Sequence, residues 1–211
     1  MDPDILFQDR QIILCVKPAG VLSEEGGMPD LLREQTASPQ IFCVHRLDRA
    51  VGGLMVYAKT KEAAADLSRQ IAEGRLEKRY LAVCRGDAPE RGKMRDLLYH
   101  DAKTNKSYVV KRMRKGVREA ALRYEKLEGQ GDLSLVRVDL LTGRSQQIRV
   151  QFASRQLPLL GDRRYGGGMG NAPALWSSEL RFRHPASGKE LSFQVLPPKE
   201  EPWTCFACLR R

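Results

Sequence analysis

The chain has 211 residues, 42% of them hydrophobic, so it can build one large domain or two small ones around a core of ordinary size. Its 36 lysines and arginines against 26 acidic residues give a formal net charge of +10, a surplus that favours polyanionic partners. No apolar run approaches the length of a membrane span or a signal sequence, so the reading is a cytoplasmic protein without a membrane partner.

QIILCVKPAG (residues 11–20) reads as a strand ending in a Lys-Pro turn. SEEGGMPDLLREQTASPQ is a loop with a short helix at its centre, and FCVHRLD leads into the apolar strand LMVYAK. Thr60 then caps a helix that carries Ala64, Leu67 and Ile71 at helical spacing and can end at Gly74. KRYLAVCRG is a strand with Tyr80, Ala82 and Cys84 on one face. The tract from Arg91 to Arg118 is strongly basic, broken by turn residues, and predicts hairpins or a mobile loop. ALRYEKLE and LSLVRVDLL are strands, GRSQQIRVQFASRQ a helix with Ile148 and Phe152 inside, and LPLLGDRRYGGG a glycine-rich loop. A final hairpin turns at Ala186-Ser187-Gly188. Many strands, few helices and no regular βαβ alternation predict an α+β fold with a mostly antiparallel sheet.

Cys15, Cys43 and Cys84 lie in apolar runs and read as core residues. Cys205 and Cys208 form a lone CFAC without a second ligand pair, so no metal is expected. The chemistry concentrates in four places. Asp48 sits in HRLD with Arg46 two residues away, which can keep a carboxylate ionised; Gly52 and Gly53 let backbone or ligand come close. Taken alone, a structural ion pair is the commoner reading. Tyr80 can reach a cleft or stack on a base, or simply pack. In TGRSQQIRV, Gly143 and Ser145 begin a helix whose first turn attracts anions. Arg144 and Arg149 on that helix would point about 140° apart and so would not serve one carboxylate together: one can pair with Asp48 while the other meets a phosphate, or both can be solvated helix arginines. Finally, Lys111, Arg112, Arg114 and Lys115, with Tyr99, Tyr108 and Met113 nearby, can follow a phosphate backbone. No nucleotide-binding glycine motif, Ser-His-Asp set or metal signature appears, which points to chemistry on a polyanion without a cofactor.

In this order and at these distances, VKPAG, VHRLDRAVGGLMVYAKT, EKRYLAVCRG and LLTGRSQQIRVQF followed by LPLLGDRRYG resemble the RluA-type branch of pseudouridine synthases. The resemblance covers nearly the whole chain. It implies one catalytic domain over residues 1–211, with a sheet in two halves and a central cleft, and no S4 domain. It further implies an isomerase acting on a uridine of structured ribosomal or transfer RNA, working as a monomer without cofactor. On it, Asp48 is the nucleophile, Tyr80 lines the uracil pocket, and Arg149 orients the carboxylate. Arg46, Arg144, Lys17 and the four residues of the 111–115 cluster fall to RNA binding. The chain departs from the family pattern in having Val51-Gly52 where Thr-Ser is usual, and Gln146 and Gln151 where histidines are usual. Two rivals remain beside this reading: a non-catalytic RNA-binding protein of the same fold, and a glycosidase acting on nucleosides, for which no second carboxylate pairs with Asp48.

Overall fold

A computed structural model describes residues 3–168, 170 and 172–210. Eleven strands and three helices follow in chain order: β1 (Asp4–Gln8), β2 (Ile12–Lys17), α1 (Met28–Thr36), β3 (Phe42–Cys43), β4 (Gly52–Ala58), α2 (Lys61–Ala72), β5 (Glu77–Arg85), β6 (Arg91–Asp101), β7 (Lys106–Val110), β8 (Val117–Gln130), β9 (Leu133–Leu140), α3 (Gln147–Ala153), β10 (Leu175–Arg183) and β11 (Glu190–Gln194). Two short 3-10 turns, Trp203–Cys205 and Ala207–Leu209, follow. The fold is α+β and rich in antiparallel pairs, as the sequence predicts.

The chain divides into two compact units, one of residues 1–78 with 177–195, the other of 79–176 with 196–211. In the first, the strand order is β1-β2-β4-β10, with β3 also on β4 and β11 on β10. Every residue of β4 is buried, which explains its unbroken apolar sequence GGLMVYA. Ile12 and Leu14 of β2, Leu54 and Val56 of β4, and Leu180 and Phe182 of β10 form a core against Ala63 and Leu67 of α2. That helix starts where Thr60 Oγ1 accepts the Ala63 amide at 3.1 Å, the expected cap. Its innermost residues are Ala63, Leu67 and Gln70, with Ala64 and Ile71 at the margin. Gln70 is tolerated there because its amide group bonds both the carbonyl and the N–H of Arg183.

In the second unit the order is β5-β9-β8-β6-β7, with antiparallel pairing throughout. Leu81, Val83 and Leu135 pack against Trp203 and Phe206 of the tail. Glu128 fixes the tail by accepting the amides of Ala207 and Cys208 at 3.0 and 2.9 Å. The basic tract resolves into the β6–β7 hairpin and an exposed loop at 111–116 leading into β8.

Candidate active site

In the first unit, the turn carrying Asp48 begins where β3 gives out. Phe42 and Cys43 pair with Ala58 and Tyr57 of β4; the next β4 amide, Val56, instead donates to the His45 ring at Nε2, 3.1 Å away. A side chain thus replaces a strand at that point, and the backbone is released into Arg46-Leu47-Asp48. Because Nε2 accepts, the neutral ring carries its hydrogen on Nδ1. Burial, and then the charge of Lys78, push the His45 pKa down to about 3, so the ring is neutral at physiological pH. Nδ1 has no partner among the described residues.

Both sides of the turn are tied down. Ser23 Oγ bonds the N–H and the carbonyl of Leu47 at 3.0 and 2.9 Å, and the Tyr57 hydroxyl donates to the Ser23 carbonyl at 2.9 Å. Beyond Asp48, the Val51 amide closes a turn onto the Asp48 carbonyl at 2.9 Å. Gly20 donates to the Arg49 carbonyl at 2.7 Å, and Arg49 Nε returns to the Gly20 carbonyl at 2.8 Å. The Asp48 side chain is itself only half-buried.

Lys17 is corrected by its surroundings. It was expected on RNA, yet it is 0% exposed, and its ammonium donates to the carbonyls of Pro18, Val21 and Arg49 at 2.8, 2.7 and 3.2 Å. An ammonium has three hydrogens, all of them spent inside the protein, so none is left for a phosphate. Its work is to lock the Lys-Pro turn against the Asp48 turn. Burial drives its pKa down to about 8, and the Asp48 charge opposes that fall. Arg46 is exposed and pairs with Glu24 at 3.0 Å. Gly53 takes a positive φ of 120°, and a Cβ there would lie 2.3 Å from the Ser177 carbonyl oxygen. The approach that its sequence position suggested is therefore made by backbone.

In the second unit, Tyr80 lies on β5 opposite Val138 and is 5% exposed. Arg149 on α3 is 8% exposed; its Nε and Nη2 donate to the two carboxylate oxygens of Asp162 at 2.6 and 2.8 Å. This two-pronged geometry fixes the guanidinium plane. Its Cζ stands 5.3 Å from the centre of the Tyr165 ring. Sequence reasoning read 157–168 as a glycine-rich loop within the last motif and singled out neither Asp162 nor Tyr165. A usable signal was there, because a buried arginine requires a carboxylate and GDRRYG supplies one.

Helix α3 is shorter than predicted, starting at Gln147 after Gln146 in a left-handed conformation. Gln147 explains the boundary: its Oε1 accepts from Thr142 Oγ1 and the Arg144 amide, and its Nε2 donates to the Ala121 carbonyl. Arg144 therefore precedes the helix, the angular argument about it fails, and its Nε donates to the Glu119 carbonyl at 2.9 Å. Seven residues are also too few for the anion-attracting first turn expected at Gly143 and Ser145. Gln151 is 0% exposed and donates to Asp96 at 2.6 Å. Lys111, Arg112, Arg114 and Lys115 are all exposed, and Arg114 stacks over the Tyr99 ring at 4.9 Å. Among the described residues no group of three or more His, Cys, Asp or Glu side chains could hold a metal ion. None of the described helices is long and apolar enough to cross a membrane.

Residues 11–154 match the family model described as RNA pseudouridylate synthase. The chain is 34% identical to the dual-specificity RNA pseudouridine synthase RluA of Escherichia coli, over 90% of this chain and 91% of that one. It is 30% identical to ribosomal large subunit pseudouridine synthase D of Neisseria meningitidis, over 93% of this chain but 59% of that relative's length. Among solved structures, human RNA pseudouridylate synthase domain containing 1 superposes with a TM-score of 0.80 at 23% identity, covering 98% of this chain and 87% of that one. With a family model across two-thirds of its length and HRLD, the buried arginine and the strand tyrosine all inside the match, the chain belongs to the RNA pseudouridylate synthase family.

Proposed function

We propose that the protein converts a uridine of structured RNA, ribosomal or transfer, to pseudouridine, acting as a monomeric cytoplasmic enzyme with one catalytic domain and no cofactor. The relatives' names, one a ribosomal large subunit enzyme and another dual-specific, support that substrate class. The observation that carries the mechanism is the half-buried Asp48 on a turn anchored from both sides by Ser23, Gly20 and Lys17. A nucleophile must hold its position while the rest of the substrate moves.

In the reaction, the C1′–N1 bond of the uridine breaks, the base turns, and a C1′–C5 bond forms. The C5 hydrogen leaves as a proton and N1 gains one, so the product is an isomer. Asp48 forms the covalent bond that retains one part of the nucleotide while the other turns. The target base first leaves its stack, and Arg46 takes the space it vacates. Tyr80 stacks on the uracil and serves in proton transfer. Arg149, its plane set by Asp162, orients the Asp48 carboxylate. Arg144 and the 111–115 cluster contact the RNA.

The test is pseudouridine formation on total cellular ribosomal and transfer RNA. The parent protein is expected to form it, and Asp48→Ala and Asp48→Asn are expected to form none while binding RNA within about tenfold of the parent, about 1.4 kcal/mol. Substantial turnover by Asp48→Ala removes Asp48 as nucleophile. A parent that binds RNA yet modifies none points to the non-catalytic member of the fold.

A further inference from the structure

The second unit holds one cation whose placement is more elaborate than packing requires. Lys106 opens β7, and the residues on either side of it are nailed to the loop that carries Asp162. Before it, the Asn105 carbonyl accepts from Gln146 Nε2 at 2.9 Å and from Arg164 Nη1 at 2.5 Å, while Arg164 also reaches the Thr104 carbonyl at 2.9 Å. After it, the Ser107 amide donates to the Tyr165 hydroxyl at 2.9 Å and to Gln146 Oε1 at 3.2 Å, and Ser107 Oγ donates to the Ser145 carbonyl at 2.7 Å. The Tyr165 hydroxyl in turn lies 2.5 Å from Gln146 Oε1 and 3.0 Å from the Ser107 carbonyl.

Between these clamps the Lys106 ammonium stands 5.4 Å from the centre of the Tyr165 ring and 5.6 Å from that of Tyr108. The Arg149 guanidinium lies over the same Tyr165 ring. Two cations thus share one aromatic ring, but their electrostatics differ. Arg149 has the Asp162 carboxylate. Lys106 makes no ion pair among the described residues. The carboxylate opposite it in register, Asp101, is engaged by the Lys103 amide and the Thr104 hydroxyl. Lys106 is only half-buried, and the Tyr108 ring beside it is 40% exposed. A preoriented ammonium with aromatic walls and no internal anion is suited to an anion from outside.

We propose that Lys106, set against Tyr165, is a phosphate-contact residue for bound RNA, separate from the 111–115 loop. It rests on the reading that the protein acts on RNA, and adds to that reading a point where the backbone is gripped next to Arg149. The Gln146 side chain is part of the clamp that sets this lysine.

The test compares the full-length parent with Lys106→Met, which retains the apolar stem, and Lys106→Arg, which retains the charge. Affinity for a uridine-containing RNA stem-loop is measured across salt concentrations, with the melting temperature of each variant as a control. Losing one phosphate contact on single-stranded or duplex RNA should make the log–log salt slope shallower by about 0.7 to 0.9 in Lys106→Met. Between 50 and 200 mM salt, the parent's advantage then shrinks by roughly threefold. Lys106→Arg should have the parent's slope. A parental slope for Lys106→Met, whether or not its melting temperature falls, would overturn the proposal and leave the lysine a packing partner of Tyr165. A parent that binds no RNA overturns it as well. A parent that binds RNA but forms no pseudouridine defeats the isomerase reading alone, and the slope comparison still decides on Lys106.

Discussion

His45 and Lys17 illustrate how residue identity was readable while residue duty was not. HRLD and the Lys-Pro turn stand out in the sequence, but the work of each depends on partners further along the chain: the Val56 amide, which donates to His45, and the Arg49 carbonyl, which accepts from Lys17. A lysine in a basic protein reads as a hand for phosphate; only the fold reveals that three carbonyls consume it. The His45 arrangement has a measurable acid signature. Its folded pKa, about 3, lies below the ordinary value of 6.5. Between those values the unfolded chain binds the extra proton, so stability falls as the pH drops from 6.5 towards 3. The effect approaches about 1.4 kcal/mol for each pH unit inside that window. His45→Gln, which can still accept from the Val56 amide, should lose less stability than the parent between pH 7 and pH 5 in chemical denaturation. Identical acid losses in the two proteins would refute a neutral buried His45.

Strands and helices were largely visible as elements, because their signals are local. The Thr60 cap, the apolar run of β4 and the turn at Ala186-Ser187-Gly188 are each set by a few neighbouring side chains. β1 went unread because its sequence DILFQ is short and acidic at the start, and its partner strand β2 supplies the order. The start of α3 was misplaced because Gln147 spends its side chain on Thr142, Arg144 and Ala121, contacts that no helical period reveals. Gly53 is an intermediate case: the glycine was seen, its neighbour was not. With φ at 120° and Ser177 backbone atoms 2.3 and 2.5 Å from where a Cβ would sit, β4 and β10 cannot accept a methyl group there. Gly53→Ala should lower stability by at least about 2 kcal/mol, from backbone strain and the steric contact together. Urea denaturation checks this, and a loss under about 0.5 kcal/mol, the range of a neutral surface change, would contradict it.

At the scale of the whole molecule, composition announced a polyanion partner but not which charges meet it. Of the basic residues named from the sequence, Lys17 is enclosed, Arg149 is paired with Asp162, Arg46 is exposed but paired with Glu24, and Arg144 bonds the Glu119 carbonyl; Lys111, Arg112, Arg114 and Lys115 form an exposed group. Neutralising Lys111, Arg112, Arg114 and Lys115 together should weaken RNA binding and flatten its salt dependence, by about 0.7 to 0.9 in slope for each phosphate released. Chemistry on bound RNA should change little. An unchanged affinity and slope would reduce the loop to a solvated turn. The division of the chain into units also bears on how the protein is made. Ser177 Oγ donates to the Leu54 carbonyl across 123 positions of sequence, and β10 lies beside β4 in the first unit's sheet. Trp203 and Phe206 likewise complete the core of the second. On the ribosome, therefore, β4 is left without that neighbour until residues 175–183 have been synthesised, and neither unit closes before its late segment is made. A fully apolar strand waiting that long with an open edge is a natural client for a chaperone acting at the tunnel exit.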